Sequence, residues 1–96
     1  LESPIQYSVA KAALIHLSRE LAIRLANKNI KVNTVSFGGI EGRVDKNFKE
    51  RYARLCPLKK MLKENEVISA IDFLISSSSM SITGHNLVVD GGWTIW

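Results

Sequence analysis

Tyr7 and Lys11 stand four residues apart near the start of an apolar segment, and their types and spacing suit proton transfer. On a helix this spacing places both side chains on one face. A cation held near a phenol stabilises the phenolate and lowers the phenol's pKa, so Tyr7 could exchange a proton with a substrate carbonyl or hydroxyl near neutral pH. The same spacing occurs by chance on many helices, so its meaning depends on the surrounding sequence.

The element expected to carry this pair is a long helix from Pro4 to about Asn27, a segment without helix breakers. Leucines recur in it at spacings of three and four, and Val, Ile and Ala residues fill much of the remaining circumference. A helix this apolar is usually covered on two sides. We expect the side that carries Ala12, Ala13 and Ala22 to need a second surface.

The rest of the chain predicts two strands and a second helix. Residues 30–36 alternate as in a strand, Asn65 and Glu66 open a helix that ends in the serine run 76–79, and residues 86–89 form a second strand. Residues 42–63 between them are read as a polar loop with eight basic and two acidic side chains. Two strands separated by a helix predict an α/β crossover unit with parallel strands.

Composition narrows the class of protein. The chain has 96 residues, 46% of them hydrophobic, and a net charge of +4, which fits one small globular domain. The single Cys56 cannot form an internal disulfide, and no Cys/His spacing suggests a metal site. No segment resembles a membrane span or a signal peptide, so we expect a cytoplasmic protein with neither a membrane nor a nucleic acid as partner. The leading Leu1 suggests a chain that begins partway through a longer reading frame.

Four segments occur together in an order that resembles the C-terminal part of a short-chain dehydrogenase/reductase. They are Tyr7-Ser-Val-Ala-Lys11, Val32-Asn33-Thr34-Val35-Ser36 with Gly38-Gly39-Ile40, Cys56-Pro57-Leu58, and Ile82-Thr83-Gly84 through Val89-Asp90-Gly91-Gly92. The resemblance covers essentially all of residues 1–96. It implies part of a single α/β domain with a Rossmann-like parallel sheet, ordered helix, strand, loop, helix, strand, and incomplete without an upstream half.

The same resemblance implies a function and its residues. Tyr7 would be the catalytic acid/base, and Lys11 would assist it and hydrogen-bond the nicotinamide ribose. The backbone of Gly38, Gly39 and Ile40 would contact the nicotinamide carboxamide. The implied reaction is hydride transfer between NAD or NADP and a carbonyl or alcohol of a small-molecule substrate. The family also implies a homo-oligomer, a dimer or tetramer.

The chain departs from the family pattern at a few positions and lacks the family's upstream motifs. Phe37 replaces a usual proline, Gly42 a usual threonine, and Leu62 and Glu64 a usual Gly and Pro. The glycine-rich dinucleotide fingerprint and the catalytic serine would precede Leu1. We therefore expect little cofactor binding by the 96 residues alone.

The sequence leaves two interpretations open for the basic segment and for the chain as a whole. The basic side chains of residues 43–63 fall where the family has its substrate loop, and they either form a solvated surface or attract an anionic substrate. His16 and His85 are expected on the surface, Cys56 in a structural role, and Trp93 and Trp96 in packing at a subunit interface. The alternative for the whole chain is a non-catalytic oligomerisation or interaction module.

Overall fold

The computed structural model describes residues 4–95, and its first element is the long helix that the sequence predicts. Helix α1 spans Ile5–Leu25 and continues as a 3-10 turn over Ala26–Lys28. The carbonyl of Pro4 accepts from the N–H of Tyr7 at 3.0 Å. Asn29 ends the turn in the left-handed region at φ 58°, and its N–H donates to the carbonyl of Ala26.

Two strands form a parallel pair. Strand β1 spans Thr34–Phe37 and strand β2 spans Asn86–Val89. The N–H of Thr34 donates to His85 and the N–H of Gly38 donates to Val89, both at 2.9 Å. From the first of these bonds to the second the residue number rises along both strands, which is the pattern of parallel pairing. The α/β class, the parallel crossover and the position of the second strand are therefore confirmed.

Strand β1 is shorter than the predicted 30–36 and ends one residue later. The N–H of Ile30 donates to Leu25 and so still belongs to the end of the helix. The N–H of Val32 donates to the hydroxyl of Thr83 at 3.0 Å, so its partner is a side chain and not the carbonyl of a neighbouring strand. The regular ladder therefore begins only at Thr34.

The expectation of a polar loop over 42–63 is wrong for its central part, which forms helix α2 at Lys46–Leu55. The carboxylate of Asp45 accepts from the N–H of Phe48 at 2.8 Å and caps the first turn. Helix α3 spans Glu64–Ile75 and stops at Ser76, as the serine run predicts.

The chain divides into two compact units. The first contains residues 4–34 and 81–86, in which the turn at Gly84 lies against Ala22 of α1, with φ +72° at the glycine. The second contains residues 35–80 and 87–95, and its buried apolar side chains are Cys56, Met61, Leu62 and Leu74.

Helix α1 leaves many apolar side chains exposed. Leu14 and Leu17 are 53% and 52% exposed, and of the helix only Ser18 and Ala22 are buried. The expectation of an uncovered side is therefore wrong at Ala22, because the Gly84 turn lies against it, while Ala12 and Ala13 are exposed. Within residues 4–95 no helix has both the length and the apolar character that crossing a membrane requires.

Candidate functional site

Helix α1 brings Tyr7 and Lys11 together in its first two turns. The ammonium nitrogen of Lys11 lies 5.4 Å from the centroid of the Tyr7 ring, within the range of a cation–π contact. Both side chains are exposed, so a reactant can approach the phenol oxygen. The pair therefore presents a proton-transfer group beside a positive charge.

The other predicted site residues, Gly38, Gly39 and Ile40, lie together in the second unit, directly after β1. Ile40 forms an isolated parallel bridge with Leu62. Its two hydrogen bonds run from Leu62 N–H to Gly39 and from Glu41 N–H to Leu62, each 2.8 Å long. The bridge therefore fixes the peptide groups on both sides of Ile40.

Ile40 itself presents a donor and an acceptor side by side. In this bridge the bonds on the Ile40 side come from its neighbours, so its own N–H and C=O lie on the opposite edge of the segment. Among residues 4–95 no hydrogen bond engages either group. An adjacent N–H and C=O match a primary carboxamide, which offers one acceptor oxygen and an NH₂ donor.

The two glycines fit closely against their neighbours. Gly38 donates its N–H to Val89, and a Cβ on it would come within 2.9 Å of the Asp90 backbone. Gly39 donates its N–H to the hydroxyl of Tyr52 at 2.6 Å. Both amide groups are thus used inside the second unit.

Sequence reasoning missed Tyr52, which belongs to α2. Its ring stacks on Trp93 with centroids 4.2 Å apart and an angle of 16° between the planes. The available signal was the spacing of Phe48, Tyr52 and Leu55 after the capping residue Asp45, which is typical of a helix with one apolar face.

Asp90 organises the turn that carries Trp93. Its carboxylate accepts from the hydroxyl of Thr94 at 2.8 Å and from the N–H groups of Thr94 and Gly92 at 3.1 and 2.9 Å. The bond from Thr94 is the main cause that holds the pKa of Asp90 below its ordinary 3.8, with the backbone bonds adding to it and partial burial opposing it. The charged form of Asp90 therefore stabilises this turn.

We expect Asp90→Asn to lower the free energy of unfolding by about 1 kcal/mol at pH 7, because charge-assisted hydrogen bonds are lost. A carboxyl with a lowered folded-state pKa stabilises the fold above pH 3.8, and this contribution disappears as the pH falls through the folded-state value. The difference between the two proteins should therefore shrink in urea unfolding at pH 3 and below. Asp72→Asn, on the exposed surface of α3, is the control, and an Asp90→Asn effect that is independent of pH would contradict the assignment.

The remaining predicted residues lie away from Tyr7 in sequence and form no metal cluster. His16 is exposed, with Nε2 3.9 Å from Glu20, and Cys56 is fully buried with its Sγ 3.3 Å from the carbonyl of Gly91. Trp93 packs within the chain on Tyr52, while Trp96 lies outside the described residues. Over residues 4–95 no group of three His, Cys, Asp or Glu side chains could hold a metal ion.

A family model and individual proteins both match this chain over most of its length. The family model described as enoyl-(acyl carrier protein) reductase matches residues 2–94. A Campylobacter coli protein named post-translational flagellin modification protein A is 42% identical over 97% of this chain. The ribulose-forming D-arabinitol 2-dehydrogenase of Candida albicans is 41% identical over 94% of it.

Solved structures agree with the sequence relatives. The crystal structure of a short-chain dehydrogenase from Leptospira borgpetersenii with bound NAD⁺ is similar with a TM-score of 0.87 and 38% identity over 96% of this chain. The match covers 36% of that structure, and 36% and 35% of the two sequence relatives. The chain therefore spans about a third of the length of the proteins it matches.

Proposed function

Because this chain belongs to the short-chain dehydrogenase/reductase family, we propose that it supplies the proton-transfer pair and the nicotinamide-binding backbone of an NAD(P)-dependent oxidoreductase. The observation that carries the proposal is the ammonium of Lys11 beside the ring of Tyr7 at the start of α1. The bound nicotinamide would supply or accept a hydride at a carbonyl or alcohol carbon of a small-molecule substrate.

Tyr7 acts as the general acid/base in this proposal. During reduction its phenol donates a proton to the carbonyl oxygen while the carbon gains the hydride, so the product is the neutral alcohol. During oxidation the phenolate accepts the hydroxyl proton. Lys11 stabilises the phenolate by its charge and, as the family implies, donates a hydrogen bond to the nicotinamide ribose.

Ile40 holds the carboxamide in this proposal. Its N–H donates to the amide oxygen and its C=O accepts from the amide NH₂, which uses the two backbone groups left open by the bridge to Leu62. Gly38 and Gly39 shape the segment, because their N–H groups are bonded within the second unit.

We further propose that residues outside this sequence bind the rest of the dinucleotide. The support is the short share of each relative that the chain spans, together with the sequence itself, which has no glycine-rich G-x-G-x-x-G loop. Such a loop at a helix N-terminus is what cradles the pyrophosphate in dinucleotide-binding folds. We call this chain with such an N-terminal part added the completed enzyme; the added part comes from the reading frame upstream of Leu1 or from the Leptospira borgpetersenii dehydrogenase.

Calorimetric titration tests whether residues outside this sequence bind the rest of the dinucleotide. We expect the 96-residue chain to show no binding of NADH or NADPH, and the completed enzyme to bind one of them, since the pyrophosphate site is restored. A circular dichroism spectrum with the helix content of α1, α2 and α3 is the control that the short chain is folded. Micromolar binding by the verified 96-residue species would refute the proposal that the dinucleotide site lies elsewhere.

A second role, self-association, is favoured by two observations. The exposed leucines of α1 and the strand β1, which pairs only with β2 among residues 4–95, both gain from a further surface. We propose that the isolated chain forms at least a dimer, which would also serve a non-catalytic interaction module.

A further inference from the structure

Tyr52 connects helix α2 to the segment that follows β1. Its hydroxyl accepts the N–H of Gly39 at 2.6 Å, and its ring is fixed from behind by stacking on Trp93. An amide–hydroxyl bond of this length, made by a side chain with a fixed ring, holds the peptide plane before Gly39 in one orientation.

The contact depends on the absence of a side chain at Gly39. A Cβ at this position would lie 2.6 Å from Cε2 and Cζ of the Tyr52 ring, closer than carbon atoms can approach. Only glycine therefore lets the aromatic ring lie against the backbone at this point. The packing is specific to the pair of residues and is not a general feature of the turn.

Helix α2 holds the segment on the other side of Ile40 as well. Nζ of Lys49, one turn before Tyr52, lies 3.3 Å from the carboxylate of Glu41. With the backbone bonds of Leu62, both neighbours of Ile40 are fixed. The direction of the Ile40 N–H and C=O is therefore set by its neighbours, since Ile40 itself has no hydrogen bond within residues 4–95.

We propose that Tyr52 is a positioning residue that orients the backbone of Ile40 for the nicotinamide carboxamide. The inference rests on the proposed function, because it takes the carboxamide as the partner of Ile40. Tyr52 contacts Gly39 and not the cofactor, so it acts through the backbone. It makes helix α2 part of the cofactor site as well as of the expected substrate loop.

The first test measures the contact without any cofactor. In the full 96-residue chain, Tyr52→Phe keeps the stacking on Trp93 and removes only the hydroxyl. We expect hydrogen exchange of the Gly39 amide, followed by NMR, to become about tenfold faster, because one protecting hydrogen bond is lost. The Gly38 amide, bonded to Val89, should be unchanged. Arg51→Gln alters an exposed side chain of the same helix and should leave Gly39 as it is. An unchanged Gly39 amide in Tyr52→Phe would overturn the contact.

The second test measures its consequence in the completed enzyme. Tyr52→Phe should raise the KM for NAD or NADP about five- to tenfold, which is the change in affinity expected from the loss of one hydrogen bond. The KM for the substrate should change little. With the acetylpyridine analogue, whose methyl ketone replaces the carboxamide, the increase should fall to about two- to threefold, because the ketone oxygen still accepts from the Ile40 N–H but the NH₂ donor is missing. With the hypoxanthine analogue, whose carboxamide is intact, the full increase should return.

The outcomes separate the two proposals. Equal increases with all three cofactors would show that Tyr52 supports the fold only, and would overturn the positioning role. Full turnover by Tyr7→Phe in the same enzyme would instead refute the proposed function, while the exchange rate of Gly39 would still report on the Tyr52 contact.

Discussion

Tyr7→Phe in the completed enzyme is expected to lower kcat by roughly 10²- to 10⁴-fold, the usual contribution of a positioned general acid/base. The variant removes the phenolic hydroxyl and keeps the ring that lies beside Lys11. Cofactor affinity should therefore change little. Stopped-flow measurement of hydride transfer under single-turnover conditions gives the chemical step directly and separates it from product release.

Lys11→Met tests the second residue of the pair. It removes the positive charge near the phenol and the implied ribose contact, so both kcat and cofactor affinity should fall, the latter by about tenfold or more for a lost charged hydrogen bond. The matched control is Lys28→Met, which removes the same charge in the 3-10 turn after the same helix. Turnover near the wild-type rate in Tyr7→Phe would end the assignment of Tyr7, whatever Lys11→Met does.

Self-association of the 96-residue chain should depend on the exposed face of α1 that carries Ala13 and Leu17. A glutamate placed at either position would enter the contact as an unpaired charge, which costs several kcal/mol when buried. We expect Ala13→Glu and Leu17→Glu to raise the dimer dissociation constant by about 100-fold or more. Analytical ultracentrifugation over a range of protein concentrations measures the change.

Asn27→Glu is the control for this experiment, because it adds the same charge in the exposed 3-10 turn beyond the helix. It should leave the dissociation constant within a fewfold of the wild-type value. Light scattering that shows a folded wild-type monomer at high concentration would contradict the prediction and remove the main support for an interaction-module role.

The helix α1 and the strand β2 could be predicted from sequence because local signals agree there. No breaker interrupts residues 5–25, and Asn86–Val89 is bounded by turn residues on both sides. The start of β1 could not be predicted, because it depends on the hydroxyl of Thr83, which is 51 residues away. Its alternating pattern extends to Ile30, but the helix end and the Thr83 side chain take those backbone groups.

Helix α2 and Tyr52 could not be predicted from sequence for a different reason. Five of the ten residues of α2 are charged, which obscures the Phe48, Tyr52 and Leu55 spacing in a segment with so many basic side chains. The contact between Tyr52 and Gly39 joins helix α2 to the segment after β1 across 13 residues of sequence, a separation that no local pattern predicts. The pairing of Tyr7 with Lys11 needed only helical spacing, so it could be predicted from the residues themselves.

The parallel pairing of β1 with β2 has a consequence for the order of folding. Thr34 and His85 are separated by about fifty residues of chain, so their pairing must close a long loop before the sheet gains any contact, whereas each helix forms from contacts between residues close in sequence. We expect α1, with local hydrogen bonds only, to form first, and the sheet to form late. During that interval the apolar side chains of α1 lack even the cover of the Gly84 turn, and the chain is most exposed to aggregation. Slow refolding at high dilution should therefore recover more native protein than rapid refolding at high concentration.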